Sequence, residues 1–374
     1  MLSSTATAGT NAVASEYNNL RTDLINRAMF LAQQAIINGN FDIWQRNITF
    51  TNPATATYTA DRWKVVYVNN GTLPTSIVHS RQALTAGDVF NSFYEYRIAP
   101  NGAGSGFGVS DLYSIQQPIE HGVRNLCGAS KSITISFYAK SSIGSKKIGV
   151  GAIQNYGTGG SPTAEEILTG GTVTLTSSWV RYSVTITTNT LASKTFGTNN
   201  DDALKIVIAE MWGATLGSSY GFGAAETFVG SGNIEITQVQ VNEGTTAFGF
   251  WPISFADTLR QCKRYYQKSY AYETYPAAAT GIGEVINVFG ALSNGIHLAR
   301  IVLQKSLRTA APTVTTYDRA GTSGKIDTFD AALTVTSGVT PTQIPTDFTE
   351  NSFDVWHNGN VAGIGFQWTA ESEL

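Results

Sequence analysis

The first pattern legible in the chain is helical. From Ser15 onward, Tyr17, Leu20, Leu24, Ala28, Leu31 and Ala35 recur at spacings of three and four, one stripe of an amphipathic helix. Ser15 stands where an N-cap belongs. A helix of about 20 residues would be about 30 Å long. Its stripe packs either on the β domain that follows or on copies of itself as a short parallel coiled coil. After Asn38-Gly39-Asn40 the period changes to two. Ile133, Ile135 and Phe137 alternate with Thr134, Ser136 and Tyr138, the signature of a strand with one buried face. The stretches 179–186, 204–208 and 234–236 follow the same rule. Between Ile236 and Val239 the apolar phase slips by one, which predicts a β-bulge.

The connections are rich in Gly, Asn, Ser and Pro, as from Asn155 to Pro162 and from Gly217 to Gly223. Many short strands joined this way predict a sandwich or barrel. The stretch from Phe255 to Tyr275 breaks the pattern. Leu259, Cys262, Tyr265 and Tyr266 carry a helical spacing there, which predicts a hinge between domains. Strands are expected again at 284–291, 297–303, 313–317, 352–356 and 362–368. The fold class expected is mainly β: an N-terminal segment and helix over 1–35, a sandwich over 36–255 and a second β domain over 256–374.

Composition sharpens this picture. Charged residues make up 14% of the 374, well below the roughly 25% of an average globular protein, so polar surface comes from Gly, Ser, Thr and Asn. A net charge of −3 gives no footprint for nucleic acid. No apolar run reaches the roughly 18 residues of a membrane span, and the N-terminus does not read as a secretory signal. Cys127 and Cys262, the two cysteines, form neither a disulfide framework nor a zinc spacing. Residues 1–14 are small and polar and are expected to order on a partner.

Two short segments far apart in the chain carry a resemblance. Ile36-Ile37-Asn38-Gly39-Asn40-Phe41-Asp42-Ile43-Trp44-Gln45-Arg46 and Leu259-Arg260-Gln261-Cys262-Lys263-Arg264-Tyr265-Tyr266 resemble the fibre, spike and head-fibre proteins of tailed-bacteriophage virions. The body from about 36 to 244 is similar to the jelly-roll carbohydrate-binding modules. Its landmarks include Ala60-Asp61-Arg62-Trp63, Gln116-Gln117-Pro118-Ile119, Ile135-Ser136-Phe137-Tyr138 and Trp179-Val180-Arg181-Tyr182. The tail, with Arg308-Thr309-Ala310-Ala311-Pro312-Thr313-Val314 and the closing segment from Phe366-Gln367-Trp368 to Leu374, looks like a C-terminal domain that recurs in such fibres, and 9–21 resembles their particle-proximal end.

The resemblance implies a homotrimer on the exterior of a phage particle. Its N-terminus would dock on a capsid, tail or baseplate protein, and its partner outside would be host cell-surface polysaccharide. No cofactor is implied. Many such modules hold a calcium through an aspartate near the closing strand, but here that stretch reads Ile236-Thr237-Gln238-Val239, without a carboxylate.

Glycan binding needs an aromatic face for the apolar side of a pyranose, ringed by hydrogen-bonding groups. Tyr113, Tyr138 and Tyr156 are the first candidates, on expected outer faces or in loops, while Trp44, Trp63 and Trp179 are expected in the core. No catalytic constellation is evident. Glu165-Glu166 and Asp201-Asp202 are adjacent pairs, whose side chains diverge on extended backbone, and are expected in solvated turns. His79, His121, His297 and His357 show no metal spacing, and the glycines at 102, 104, 106 and 108 lack a βαβ context. The expected function is therefore non-enzymatic display and adsorption. The alternative is a tailspike-type enzyme that depolymerises surface polysaccharide.

Overall fold

The structure is a computed structural model that describes residues 15–22, 35–68, 73–101, 107–227 and 231–374. It is mainly β. A helix α1 over 15–22 exposes Tyr17 and Leu20. The stripe positions Leu24, Ala28 and Leu31 lie outside the described residues, as do residues 1–14 and the glycines at 102, 104 and 106. Ala35 does not belong to a helical stripe. It packs against the sandwich core, because the chain has already left the helix at this point.

Two antiparallel sheets form the sandwich. The six-stranded sheet runs β1 (Thr49–Thr51), β3 (Ser76–Ala83), β4 (Tyr94–Asn101), β11 (Ile234–Glu243), β6 (Ser132–Ser141), β9 (Val180–Thr187). The five-stranded sheet runs β2 (Lys64–Val68), β5 (Leu112–Glu120), β10 (Ala203–Trp212), β7 (Lys147–Asn155), β8 (Glu166–Thr174). Neighbours in these orders are mostly distant in sequence, as in a jelly roll. Alternate residues of both sheets meet in one core that includes Trp63, Tyr96, Ile135, Phe137, Ile206 and Ile236. Trp44 and Trp63 are fully buried in it.

The predicted phase slip is a bulge. The register of β11 on β6 shifts between Thr237 and Gln240, and Gln238 takes φ 54°. A non-glycine residue there is strained, and the Gln238 side chain secures it by donating to Phe90 O and Ser92 Oγ at 2.5 and 2.8 Å. Gly39 lies so close that a Cβ would sit 2.0 Å from Val239 O, so only glycine fits against the bulge. Short helices α2 (Gly122–Leu126) and α3 (Ala214–Ser219) fill corners of the sandwich.

The interruption at 255–275 is shorter in helix than its spacing predicts. Helix α4 covers Phe255–Cys262, capped by Ser254. Tyr265 and Tyr266 leave it, and Tyr266 enters β12 (Tyr266–Lys268). A seven-stranded sheet follows. Its axis is β18 (Ser352–Glu371), which pairs with β12, β13 (Val285–Val302), β14 (Thr313–Tyr317), β15 (Ile326–Phe329) and β17 (Gln343–Thr349), while β16 (Val335–Val339) pairs with β15. The separate strands expected at 284–291 and 297–303, and at 352–356 and 362–368, are each one long strand. Turn-like residues face each other across the ribbon, Asn294 opposite Asn360 and Gly295 opposite Gly359, so both strands pass through positions that look like breaks.

One face of this sheet carries a second core with Ile301, Phe353, Ile364, Phe366 and Trp368. Along β13, Ile286, Val288, Ile296 and Val302 are exposed.

The two segments singled out in the sequence meet where the sandwich abuts this sheet. Gln45 Nε2 donates to Tyr266 O at 3.2 Å, and the Arg46 guanidinium lies 3.8 Å over the Tyr266 ring. Arg46 also reaches Glu371 and Glu373 at 3.1 and 3.2 Å. Arg62, 1% exposed, binds Glu373 and donates to Pro118 O at 2.6 Å, and lies 3.5 Å over the Tyr265 ring. Arg264 pairs in fork geometry with Glu120 at 2.7 and 2.9 Å, and Tyr265 Oη donates to the same carboxylate at 2.7 Å. Asn38, at φ 59°, clamps the turn behind them through Ile43 and the Asp61 carbonyl.

Candidate functional site

The sandwich has two outward faces, and they differ in cover. On the five-stranded sheet, Leu112, Val207, Ala209 and Trp212 are sealed under Tyr220, Phe222 and Leu216 of the α3 region. Gly149 and Gly151 make room for the Phe222 and Tyr220 rings. The outward face of the six-stranded sheet is polar, and it holds the candidate site.

Its side chains are those that alternate with the core. One row crosses the sheet as Ser80, Arg97, Glu235 and Lys140, fixed by the registers of neighbouring strands, and Trp179, just before β9, stands beside Lys140. Arg97 Nη2 sits 2.7 Å from Glu95 and 2.6 Å from Glu235, and Lys140 Nζ is 3.1 Å from the other Glu235 oxygen. Lys140 Nζ also lies 5.0 Å over the Trp179 ring, a cation–π contact. The next row places Tyr138 beside Arg181 and Thr237. Below it, Gln240 stands opposite Ser136.

Loops border this face. Arg181 donates to Phe248 O, Asn242 to Thr246 O at 2.6 Å and Thr134 to Gly244 O at 2.8 Å. Segment 244–248 thus lies along one side. The 88–93 loop, held by Gln238, lies along the other.

These borders desolvate the ladder. Glu95 is 2% exposed, and burial, reinforced by the charge of Glu235, pushes its carboxyl up to about 7. Several buried polar atoms on this face have no partner among the described residues: Gln240 Oε1, Asn242 Oδ1, Arg97 Nε and Trp179 Nε1. A face with aromatic rings at one side and the partly exposed Arg97 and Lys140 head groups in its middle suits a hydroxyl-rich ligand.

Of the sequence candidates, Tyr138 lies on this face, half-buried. Tyr113 and Tyr156 do not belong to any ligand platform, as each is 1% exposed. Tyr113 points into the core, where its ring stacks on Tyr67 at 5.4 Å and its hydroxyl meets His79 Nε2 at 3.0 Å. Burial pushes His79 down to about 3, so that histidine is neutral. Tyr156 is covered by Phe196 and donates to Glu166 at 2.6 Å. Trp179 is half-buried and not a core residue, because it precedes β9, the edge strand of the sheet.

The acidic pairs divide: Glu165, exposed, and Asp201 lie in connections as expected, whereas Asp202 is buried and Glu166 begins β8. Asp202 is 2% exposed and meets His121 Nδ1 at 2.9 Å and Arg124 at 3.1 Å, while Glu165 meets Lys205 at 2.6 Å and Glu166 binds Lys194. Among the described residues no group of three or more His, Cys, Asp or Glu is placed to hold a metal ion, and no helix is long and apolar enough to cross a membrane. Cys127 and Cys262 are free and buried. The ladder of Glu95, Arg97, Glu235 and Lys140 escaped sequence reasoning. Its only signal was alternation with Tyr96, Ile98, Ile234 and Ile236.

No protein-family profile and no curated protein matches this chain. Solved structures do align with it. A protein described as sugar-binding from Bacteroides thetaiotaomicron aligns at 14% identity and TM-score 0.32, over 57% of this chain and 100% of its own. A family 11 carbohydrate-binding module from Clostridium thermocellum, solved with a β-1,3-1,4-mixed-linked tetrasaccharide, aligns at 10% and 0.27, over 52% and 96%. The enzymatically active domain of tailspike protein 4 from bacteriophage CBA120 aligns at 11% and 0.29, over 56% of this chain and 21% of its own. The match thus spans about a fifth of that tailspike chain.

Proposed function

We propose that this chain is a non-enzymatic display protein of a tailed-phage virion, whose sandwich binds host surface polysaccharide through the outward face of its six-stranded sheet. The observation that carries the reading is the row from Trp179 through Lys140, Glu235 and Arg97, with Tyr138 beside it. The rings take the apolar side of a sugar, and Arg97 and Lys140, whose side chains stay 29% and 25% exposed, donate hydrogen bonds to its hydroxyls. Such a shallow face buries little ligand, and the hydroxyls already bond water, so a single contact is weak. Several copies on one particle gain from effective concentration.

Homotrimerisation is part of the proposal. It is supported by the exposed apolar side chains of β13, Ile286, Val288, Ile296 and Val302, each at least 46% exposed, which other copies would cover. Attachment to the particle is assigned to residues 1–14 and α1.

The test is capture of the protein on immobilised bacterial surface polysaccharides. Tyr138→Ala and Trp179→Ala are expected to weaken capture about tenfold each, and polymer length is expected to stay constant. Progressive shortening of the polymer would establish a depolymerase instead. Light scattering checks the assembly: a particle three times the 40.0 kDa chain mass is expected, and a monodisperse monomer would remove the trimer.

A further inference from the structure

A separate concavity opens at the end of the sandwich, where the chain leaves β11 and enters α4. Its volume is about 570 Å³, within the roughly 300–1,000 Å³ of small-molecule sites. Five stretches of chain supply its walls: Asp42 from the N-terminal turn, Arg81 from β3, Phe93 and Tyr94 around the start of β4, Phe255 from α4, and Glu273.

The chemistry of the walls is divided. Phe93 is 73% and Phe255 45% exposed, so two rings present faces to solvent. Asp42 is 5% exposed. One of its carboxyl oxygens accepts from Asn40 Nδ2, while Oδ1 is buried with no partner among the described residues. An acceptor enclosed in this way is costly unless a donor meets it. Arg81 cannot do so fully. Its Nη1 donates to the Asp42 backbone oxygen at 3.3 Å, its Nη2 lies 3.6 Å from Glu273, and its guanidinium sits 4.5 Å over the Tyr94 ring.

We propose that this cleft is a second saccharide site, built for one neutral hexopyranose unit of a chain. The ligand class rests on the glycan reading above; the site itself does not. A sugar hydroxyl supplies the donor that Asp42 Oδ1 lacks, and a C–H face stacks on Phe93 or Phe255. Two carboxylates surround one arginine that is already engaged, so a uronic acid would meet repulsion without a free cation. Because Phe255 and Glu273 belong to the C-terminal part, an occupied cleft ties the two β regions together.

Ligand-observed NMR on the full chain tests this, with malto- and cello-oligosaccharides as neutral probes and oligogalacturonate of matched length as the charged one. Saturation transfer to a neutral probe is expected, weakened about tenfold by Phe93→Ala and by Asp42→Asn and retained in Tyr138→Ala. Phe93 is largely exposed, so its variant keeps the fold if Asp42→Asn does not. Transfer unchanged in both cleft variants, transfer lost only in Tyr138→Ala, preference for oligogalacturonate, or no transfer to any neutral probe would each overturn the proposal. Failure of the sheet-face reading shows separately, as polysaccharide capture unaffected by Tyr138→Ala and Trp179→Ala.

Discussion

The sandwich and the C-terminal sheet solve the same problem differently. Each must bury one face of a sheet. The sandwich does so with its own second sheet, and even the outward side of that second sheet is sealed by the α3 region. The C-terminal sheet has a smaller core, leaves apolar side chains of β13 exposed and leans on the sandwich through Arg46, Arg62 and Arg264. The first region closes its apolar core by itself, and the second adds contacts to the first.

The contrast breaks most visibly in the cores. Trp63 is fully buried and donates from Nε1 to Asn38 O at 3.2 Å. Trp63→Ala is expected to cost about 3–5 kcal/mol in chemical denaturation. Val302→Ala, at a position 75% exposed, is expected to change the stability of the monomer by less than about 0.5 kcal/mol. Comparable losses at the two positions would show that β13 is as buried as the sandwich interior.

The junction comes next. Arg62→Ala leaves Glu373, whose side chain is 5% exposed, with Arg46 as its remaining partner. Stranding a buried charge typically costs 3–5 kcal/mol, and Arg46 softens this to about 3 kcal/mol. Hydrogen exchange is the sharper readout: amides of β12, β14 and β18 are expected to lose protection while β6 and β11 keep theirs. Equal loss in both regions would mean that the sandwich also depends on the contact.

How far the sequence announced this arrangement depends on the strand. β6 sits with one face in the core, so Ile133, Ile135 and Phe137 alternate cleanly, and the slip before Val239 marked a bulge. β5 is buried along nearly its whole length, which erases the alternation and left the inward direction of Tyr113 unread. Tyr156 follows a strand as a loop residue should, but Phe196, forty positions on, folds over it. The cleft was invisible for a similar reason. Asp42, Arg81, Phe93, Phe255 and Glu273 have no spacing in common, and only the register of β3 and β4 and the path after β11 bring them together.

The smallest expected effect compares the two regions through pH. Glu95 in the sandwich and Glu284 in the C-terminal sheet are both acids raised from the ordinary 4.5 to about 7, chiefly by burial. Glu95 faces Glu235, whereas Glu284 binds Arg319 at 2.6 Å and neighbours Asp327. With the folded pKa above the unfolded one, the native protein holds more protons than the unfolded chain between about pH 4.5 and 7, so stability falls as pH rises through that window. Asp42, raised to about 6, acts in the same direction over the lower part of it. Glu95→Gln keeps the side-chain shape and removes the titration. It is expected to flatten the decline and to add on the order of 1 kcal/mol above the window, and Glu284→Gln is expected to do the same. If the arginine junction makes one cooperative unit, both substitutions flatten a single denaturation transition. Two transitions, each answering to one glutamate, would show that the regions unfold independently and that the junction couples them less than its buried arginines suggest.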